Sequence, residues 1–270
     1  MTSLSLNLDT PDLARHYEEA SSDRQFKAGK VLVEKLGVRT GESVLDVGSG
    51  TGLLAEYVAG VVGPSGSVVA IDPLPLRIDI AKRKARPNLI FRVGDAYELG
   101  AFANESFDVV YLNAVFHWLP EKSGPLREFN RVLKPGGRLG ITTGSKEHVN
   151  KLQTIRKAVL SREPYSRFPE SQAGTAHRVS AGELQGLLER AGFEVASIDL
   201  LPNAIVHRSA DAAIDFSQAS SFGNFLGHLP EELRRAARDE LRKELDALKT
   251  PEGIRQEGAR IVAVARKTAR

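Results

Sequence analysis

The chain has 270 residues, 41% of them hydrophobic and 26% charged, with a formal net charge of +3. That length suits one sizeable core with an appended cap, or two small domains, and so small a positive excess gives no argument for nucleic acid. The absence of cysteine excludes disulfides, thiolate metal sites and cysteine nucleophiles, and no apolar run approaches membrane-spanning length.

The first residues, MTSLSLNLDTPD, carry acids and no basic region, so no signal or transit peptide is expected and a cytoplasmic setting is the default. Pro11 to Lys35 reads as helix, with Thr10 as N-cap and a break at Ser21 and Ser22. Leu13, Tyr17 and Ala20 share a face in its first part; Phe26, Val31, Leu32 and Leu36 are the apolar residues of the second, which ends at Gly37. Val44 to Gly52, VLDVGSGTG, is an apolar run stopped by three alternating glycines. Such a run reads as a buried parallel strand turning sharply into a helix, where bare backbone can approach a ligand. A dinucleotide fingerprint would place its third glycine where Leu53 stands.

Leu53 to Val62 is the following helix, and Gly63-Pro64-Ser65-Gly66 is a turn. Ser67 to Ile71 is a second strand closed by Asp72, an acid that can accept both hydroxyls of a ribose, with a solvent-exposed strand-end carboxylate as the alternative. Arg77 to Arg86 is a basic helix, read either as a solvated outer face or as a nucleic-acid patch. Asn88 to Val93 is a third strand leading to Gly94-Asp95-Ala96, and Phe107 to Leu112 a fourth leading to the loop Asn113 to Pro120. Leu126 to Leu133 is helical, and LKPGGRLGITT supplies a turn and the fifth strand.

From Gly144 to Val179 the periodicity lapses into a long connection, a pattern that suits a lid or binding loop. Ser180 and Glu183 form a capping box for a helix through Leu184, Leu187 and Leu188. Phe193 to Leu200 is the sixth strand, and Arg260 to Arg266 the last. Between them, Pro202 to Pro251 is a second insertion with an amphipathic helix from Glu231 to Leu248.

VLDVGSGTG resembles motif I of the class I S-adenosylmethionine-dependent methyltransferases. LKPGGRLGITT is similar to the branch of ubiquinone/menaquinone-biosynthesis methyltransferases, and NAVFHWLP looks like a segment of trans-aconitate methyltransferases. The resemblance covers about Gly41 to Thr143. It implies an α/β, Rossmann-like, seven-stranded, mostly parallel sheet of order 3-2-1-4-5-7-6 with the last strand antiparallel. On this view 1–270 is a single methyltransferase domain with a helical lid over 1–40 and helical cap insertions at 144–180 and 202–251.

The cofactor implied is S-adenosylmethionine. The resemblance puts Asp46, Gly48, Ser49 and Gly50 at its methionine part and Asp72 at its ribose, with Pro73 and Leu74 beside the adenine. It gives Gly94, Asp95 and Ala96 to the adenine edge, Asp95 receiving the amino group and the Ala96 N–H meeting a ring nitrogen. Asn113 and Ala114 open the loop where methyl group and acceptor should meet. An aromatic near the methionine end is usual; Tyr17 and Phe26 are candidates, with simple core packing as the alternative.

A sulfonium methyl is already activated, so the protein mainly aligns the acceptor and excludes water, and a base is needed only if the acceptor arrives protonated. His117 is the acid/base or acceptor-orienting candidate, since imidazole can titrate near neutrality, with Trp118 as a pocket wall. A histidine hydrogen-bonded in a loop is the competing reading. His148, His177, His207 and His228 show no compact metal-ligand spacing, so no metal is expected. Asn113 is followed by Ala114-Val115 and not by Pro-Pro-aromatic, which argues against exocyclic-amine nucleic-acid methylation. Pyrimidine C5 and the usual arsenite methylation use cysteines. A partly hydrophobic small organic acceptor, methylated at O, N, S or C, remains. The alternatives are a non-catalytic cofactor-binding regulatory module and an NAD-dependent oxidoreductase.

Overall fold

A computed structural model describes residues 10, 22–148, 150–173, 176–219 and 224–268. The chain divides into two compact units. The described residues of Ser22–Ser145, His177–Leu201 and Arg260–Arg270 form the larger; Thr10 and the described residues of Lys146–Ala176 and Pro202–Ala259 belong to the smaller.

In chain order the strands are β1 (Ser43–Val47), β2 (Ser67–Asp72), β3 (Leu89–Val93), β4 (Phe107–Asn113), β5 (Leu133–Gly144), β6 (Phe193–Pro202), β7 (Ile205–His207), β8 (Lys249–Thr250), β9 (Gly253–Gln256) and β10 (Ala259–Lys267). The helices are α1 (Ser22–Leu36), α2 (Leu53–Val62), α3 (Pro75–Ala81), α4 (Ser123–Val132), α5 (Lys151–Leu160), α6 (Glu170–Ala173), α7 (Ala181–Arg190), α8 (Ala210–Ala219) and α9 (Glu231–Asp246).

The main sheet runs β3-β2-β1-β4-β5-β10-β6. β1 to β5 pair in parallel, and β10 enters antiparallel to β5. Numbered by its own seven strands this is 3-2-1-4-5-7-6, as the resemblance implies. Parallel strands covered on both faces are apolar on both. Leu45, Val47, Val110 and Leu112 therefore pack with Leu126 and Phe129 of α4 on one side. On the other, Val44, Val109 and Tyr111 pack with Leu32 of α1 and Leu54 and Val58 of α2. Helix α1 lies so close to β5 that a Cβ at Gly140 would sit 2.6 Å from Leu36 Cδ1.

Of the apolar residues of α1, Val31 is exposed. Two expectations change. The basic helix stops at Ala81 and tightens into a 3₁₀ turn over Lys82–Lys84. Arg77 points inward and is buried, so that segment is not wholly a solvated face. The connection after β5 also holds a helix, α5, capped by Asn150 Oδ1 accepting from the Gln153 N–H at 3.2 Å.

In the smaller unit α5, α8 and α9 share a core that includes Leu152, Val159, Ile214, Ala237 and Leu241. Arg238 pairs with Asp211 and Asp215, and Arg242 with Asp211, joining α9 to α8. β7, β9 and β8 form a small antiparallel sheet that sequence periodicity did not announce. Among the described residues, no helix is long and apolar enough to cross a membrane.

Candidate active site

β1 ends at Val47, and the chain turns through Gly48, Gly50 and Gly52 at φ of 80°, 57° and 86°. The N–H groups of Gly48 and Ser49 both donate to Ile71 O, at 2.8 and 2.9 Å, pinning the turn to the end of β2. A Cβ at Gly48 would fall 2.2 Å from Val115 Cγ2, and one at Gly52 2.7 Å from the Phe91 ring. Left-handed backbone and lack of space both demand glycine there. Ser49 Oγ is buried without a hydrogen-bond partner.

The turn meets Asp72. Its Oδ2 accepts from the Gly50 N–H and its Oδ1 from the Leu74 N–H, each at 2.9 Å. A carboxylate has about four acceptor positions, so each oxygen keeps capacity for a hydroxyl. Burial raises the Asp72 pKa, while Arg77 and the two backbone donors pull it back. The Gly94 N–H donates to Asp72 O at 3.1 Å, bringing the end of β3 to the same place. Asp95 Oδ1 accepts from the Tyr97 N–H at 2.5 Å, and Ala96 and Leu74 are buried. Pro73 lies between Asp72 and Leu74.

Asp46 has a partner that sequence reading missed. The Tyr111 hydroxyl donates to Asp46 Oδ2 at 2.7 Å within the sheet. Burial pushes the Asp46 pKa up to about 7, the tyrosine bond opposing and the nearby Asp72 adding to the rise. Asn113 closes β4: its Nδ2 donates to Gln25 O at 2.9 Å and its Oδ1 accepts from Thr142 Oγ1 at 2.7 Å. Ala114 follows at φ 60°, its N–H donating to both Thr142 O (3.0 Å) and Thr142 Oγ1 (2.9 Å).

Phe26 stacks edge-on against Tyr57 of α2 at 5.8 Å, with Lys30 Nζ 5.7 Å from its centroid. Packing thus accounts for its contacts. Tyr17 lies outside the described residues. The structure gathers Gly48, Ser49, Gly50, Asp72, Leu74 and Gly94 around one turn, and Asn113 and Ala114 around Thr142.

His117 sits in a 3₁₀ turn, Phe116–Trp118, with its ring 4.8 Å from that of Trp118. Its Nδ1 lies 3.2 Å from Thr143 Oγ1 and 3.4 Å from the Gly144 N–H, which donates to it. Lys122 Nζ donates to Phe116 O (3.1 Å) and Leu119 O (2.5 Å), tying the turn shut. Burial, then the cations of Arg178, Lys122 and Arg260, push the imidazole pKa down to about 3. The expectation that this ring titrates near neutrality is therefore corrected: it stays neutral. Thr142, Lys122 and Arg178 carried no sequence signal, because only strand register and chain return bring them here.

S-adenosylmethionine suits this arrangement: bare glycine backbone, a buried hydroxyl awaiting a partner, and a strand-end carboxylate with acceptor positions in reserve. Residues 45–141 match a family described as a methyltransferase domain. Those residues form a methyltransferase domain, on a sheet of the class I S-adenosylmethionine-dependent order. The chain is 32% identical over 206 residues to an arsenite methyltransferase of Halobacterium salinarum, a match covering 74% of this chain and 48% of that protein. The chain thus spans about half the length of that relative. With a trans-aconitate 2-methyltransferase of Methylobacterium radiotolerans it shares 26% identity over 252 residues, 90% of this chain and 92% of the other. A SAM-dependent methyltransferase of Aquifex aeolicus has the same fold as this methyltransferase domain. Its TM-score is 0.54 at 24% identity, over 70% of this chain and 92% of that one.

Proposed function

We propose that the chain transfers a methyl group from S-adenosylmethionine to a small organic acceptor at an O, N, S or C atom. The observation that carries this reading is Asp72, a buried carboxylate fixed to the glycine turn by the Gly50 N–H, whose oxygens keep acceptor positions for ribose hydroxyls. When bound, the cofactor supplies a methyl group already activated on a sulfonium. In this reading Ser49 and the backbone of Gly48 and Gly50 hold the methionine part. Gly94, Asp95, Ala96, Pro73 and Leu74 receive the adenine. Asn113 and Ala114, clamped by Thr142, shape the wall beside the methyl group.

His117 then works as a neutral hydrogen-bonding group that orients the acceptor, since a ring with a pKa near 3 takes up protons poorly at neutral pH. The two curated relatives are named for arsenite and trans-aconitate, which leaves the acceptor class open. Lack of any cysteine speaks against arsenite for this chain. Calorimetry with S-adenosylhomocysteine, followed by labelled methyl transfer to a metabolite panel, tests the reading. Asp72→Ala should weaken cofactor affinity by about 1–3 kcal/mol, the value of a hydrogen bond to a charged acceptor. Undiminished affinity in that variant would overturn the assignment of Asp72.

A further inference from the structure

Two arginines reach the end of β5 from different directions. Arg260, the second residue of β10, stands directly opposite Gly144 in antiparallel register. Residues paired across antiparallel strands project from the same face. Arg178 comes from the returning chain, where Val179 bridges Ser145 in parallel and the His177 N–H donates to His117 O at 2.7 Å. A Cβ on Gly144 would stand 3.1 Å from Arg178 Nε and 3.6 Å from its Cζ. The guanidinium of Arg178 thus fills the side-chain space that Gly144 leaves open, on the face where Arg260 also projects. Thr142, two residues back on the same face, is bonded to Asn113 and Ala114.

Arg178 Nε is buried without a partner. A buried cation is tolerated when an anion meets it, and a planar guanidinium matches an oxyanion in shape. Burial lowers the pKa of both arginines, and both press on the neutral His117.

We propose that the acceptor carries an oxyanion, carboxylate or phosphate, held over Gly144 by Arg178 and Arg260 beside His117. This rests on the methyl-transfer reading and names the substrate class for that site. The test is calorimetry on the full chain saturated with S-adenosylhomocysteine, titrated separately with citrate, benzoate and inorganic phosphate. The first two probe the carboxylate source and the third the phosphate source. At least one should bind, and Arg178→Gln should weaken it tenfold or more. Gly144→Leu should do likewise, because its longer side chain fills the space that the guanidinium occupies while keeping both charges. Affinity for S-adenosylhomocysteine should stay within twofold in both variants. Binding of S-adenosylhomocysteine with no anion bound, or anion binding that survives both substitutions, would overturn this inference alone. Failure of the wild-type chain to bind S-adenosylhomocysteine would overturn the methyl-transfer reading and this one with it.

Discussion

Ala114 holds φ at 60° just past β4, a conformation in which a Cβ crowds the following carbonyl at a cost of about 1–2 kcal/mol. Two bonds from its N–H to Thr142 keep it there. Strained backbone of this kind gathers where a structure positions ligands. Ala114→Gly should therefore stabilise the fold by about 1 kcal/mol, read as a higher urea midpoint, despite losing a methyl group. Asp46 offers a pH-dependent counterpart. Its carboxyl binds a proton more tightly when folded, with a pKa of about 7, than when unfolded near the usual carboxylate range. At low pH both states are protonated and there is no penalty. The penalty grows as pH rises through the ordinary carboxylate value towards 7, and is complete above it. Asp46→Asn removes it, so the variant should gain stability over the wild type from pH 5 to pH 8. Each tenfold in proton affinity is about 1.4 kcal/mol, so a gain of a few kcal/mol is expected in denaturant titrations. A pH-independent difference would contradict the raised pKa.

At the level of elements, the turns and caps decide which side chains face the site. Ser180 Oγ accepts from the Glu183 N–H at 3.1 Å while Glu183 Oε2 accepts from the Ser180 N–H at 2.8 Å. This box starts α7 just after Arg178 and Val179, and buries Leu184 and Leu188 against the sheet. Ser180→Ala should cost about 1 kcal/mol, with an unchanged denaturant slope if the fold is kept. The 3₁₀ turn carrying His117 is held differently. Lys122 spends its ammonium on the carbonyls of Phe116 and Leu119, over the Phe116 ring at 4.9 Å. Burial lowers its pKa to about 8, with Glu121 opposing. That buried cation fixes the turn and adds to the field that keeps His117 neutral.

For the molecule, a ligand that binds only the folded form stabilises by mass action. S-adenosylhomocysteine at a hundredfold excess over its dissociation constant should add about 2.7 kcal/mol, seen as a raised thermal midpoint. NADH at the same concentration should leave the midpoint where it was. Equal shifts with both would point to a general nucleotide crevice and away from a methyltransferase pocket.

What could be read from the residues alone was whatever is written in short-range period and punctuation. Apolar runs stopped by glycine marked β1 and its turn, the terminal acid marked the end of β2, and Ser180 with Glu183 marked α7 to the residue. The resemblance of motif I then supplied the strand order, which no local pattern contains. Tertiary structure alone decided the partners. Asp46 and Tyr111 are 65 positions apart and meet only through the β1–β4 register. Arg77 turns inward to Asp72, and Arg178 enters from a connection with no periodicity to reveal it. The protonation of His117 follows from burial and from cations brought in by distant segments. Local sequence sets backbone geometry through nearest-neighbour sterics, whereas charge and proton affinity depend on whatever the folded chain gathers within a few ångströms.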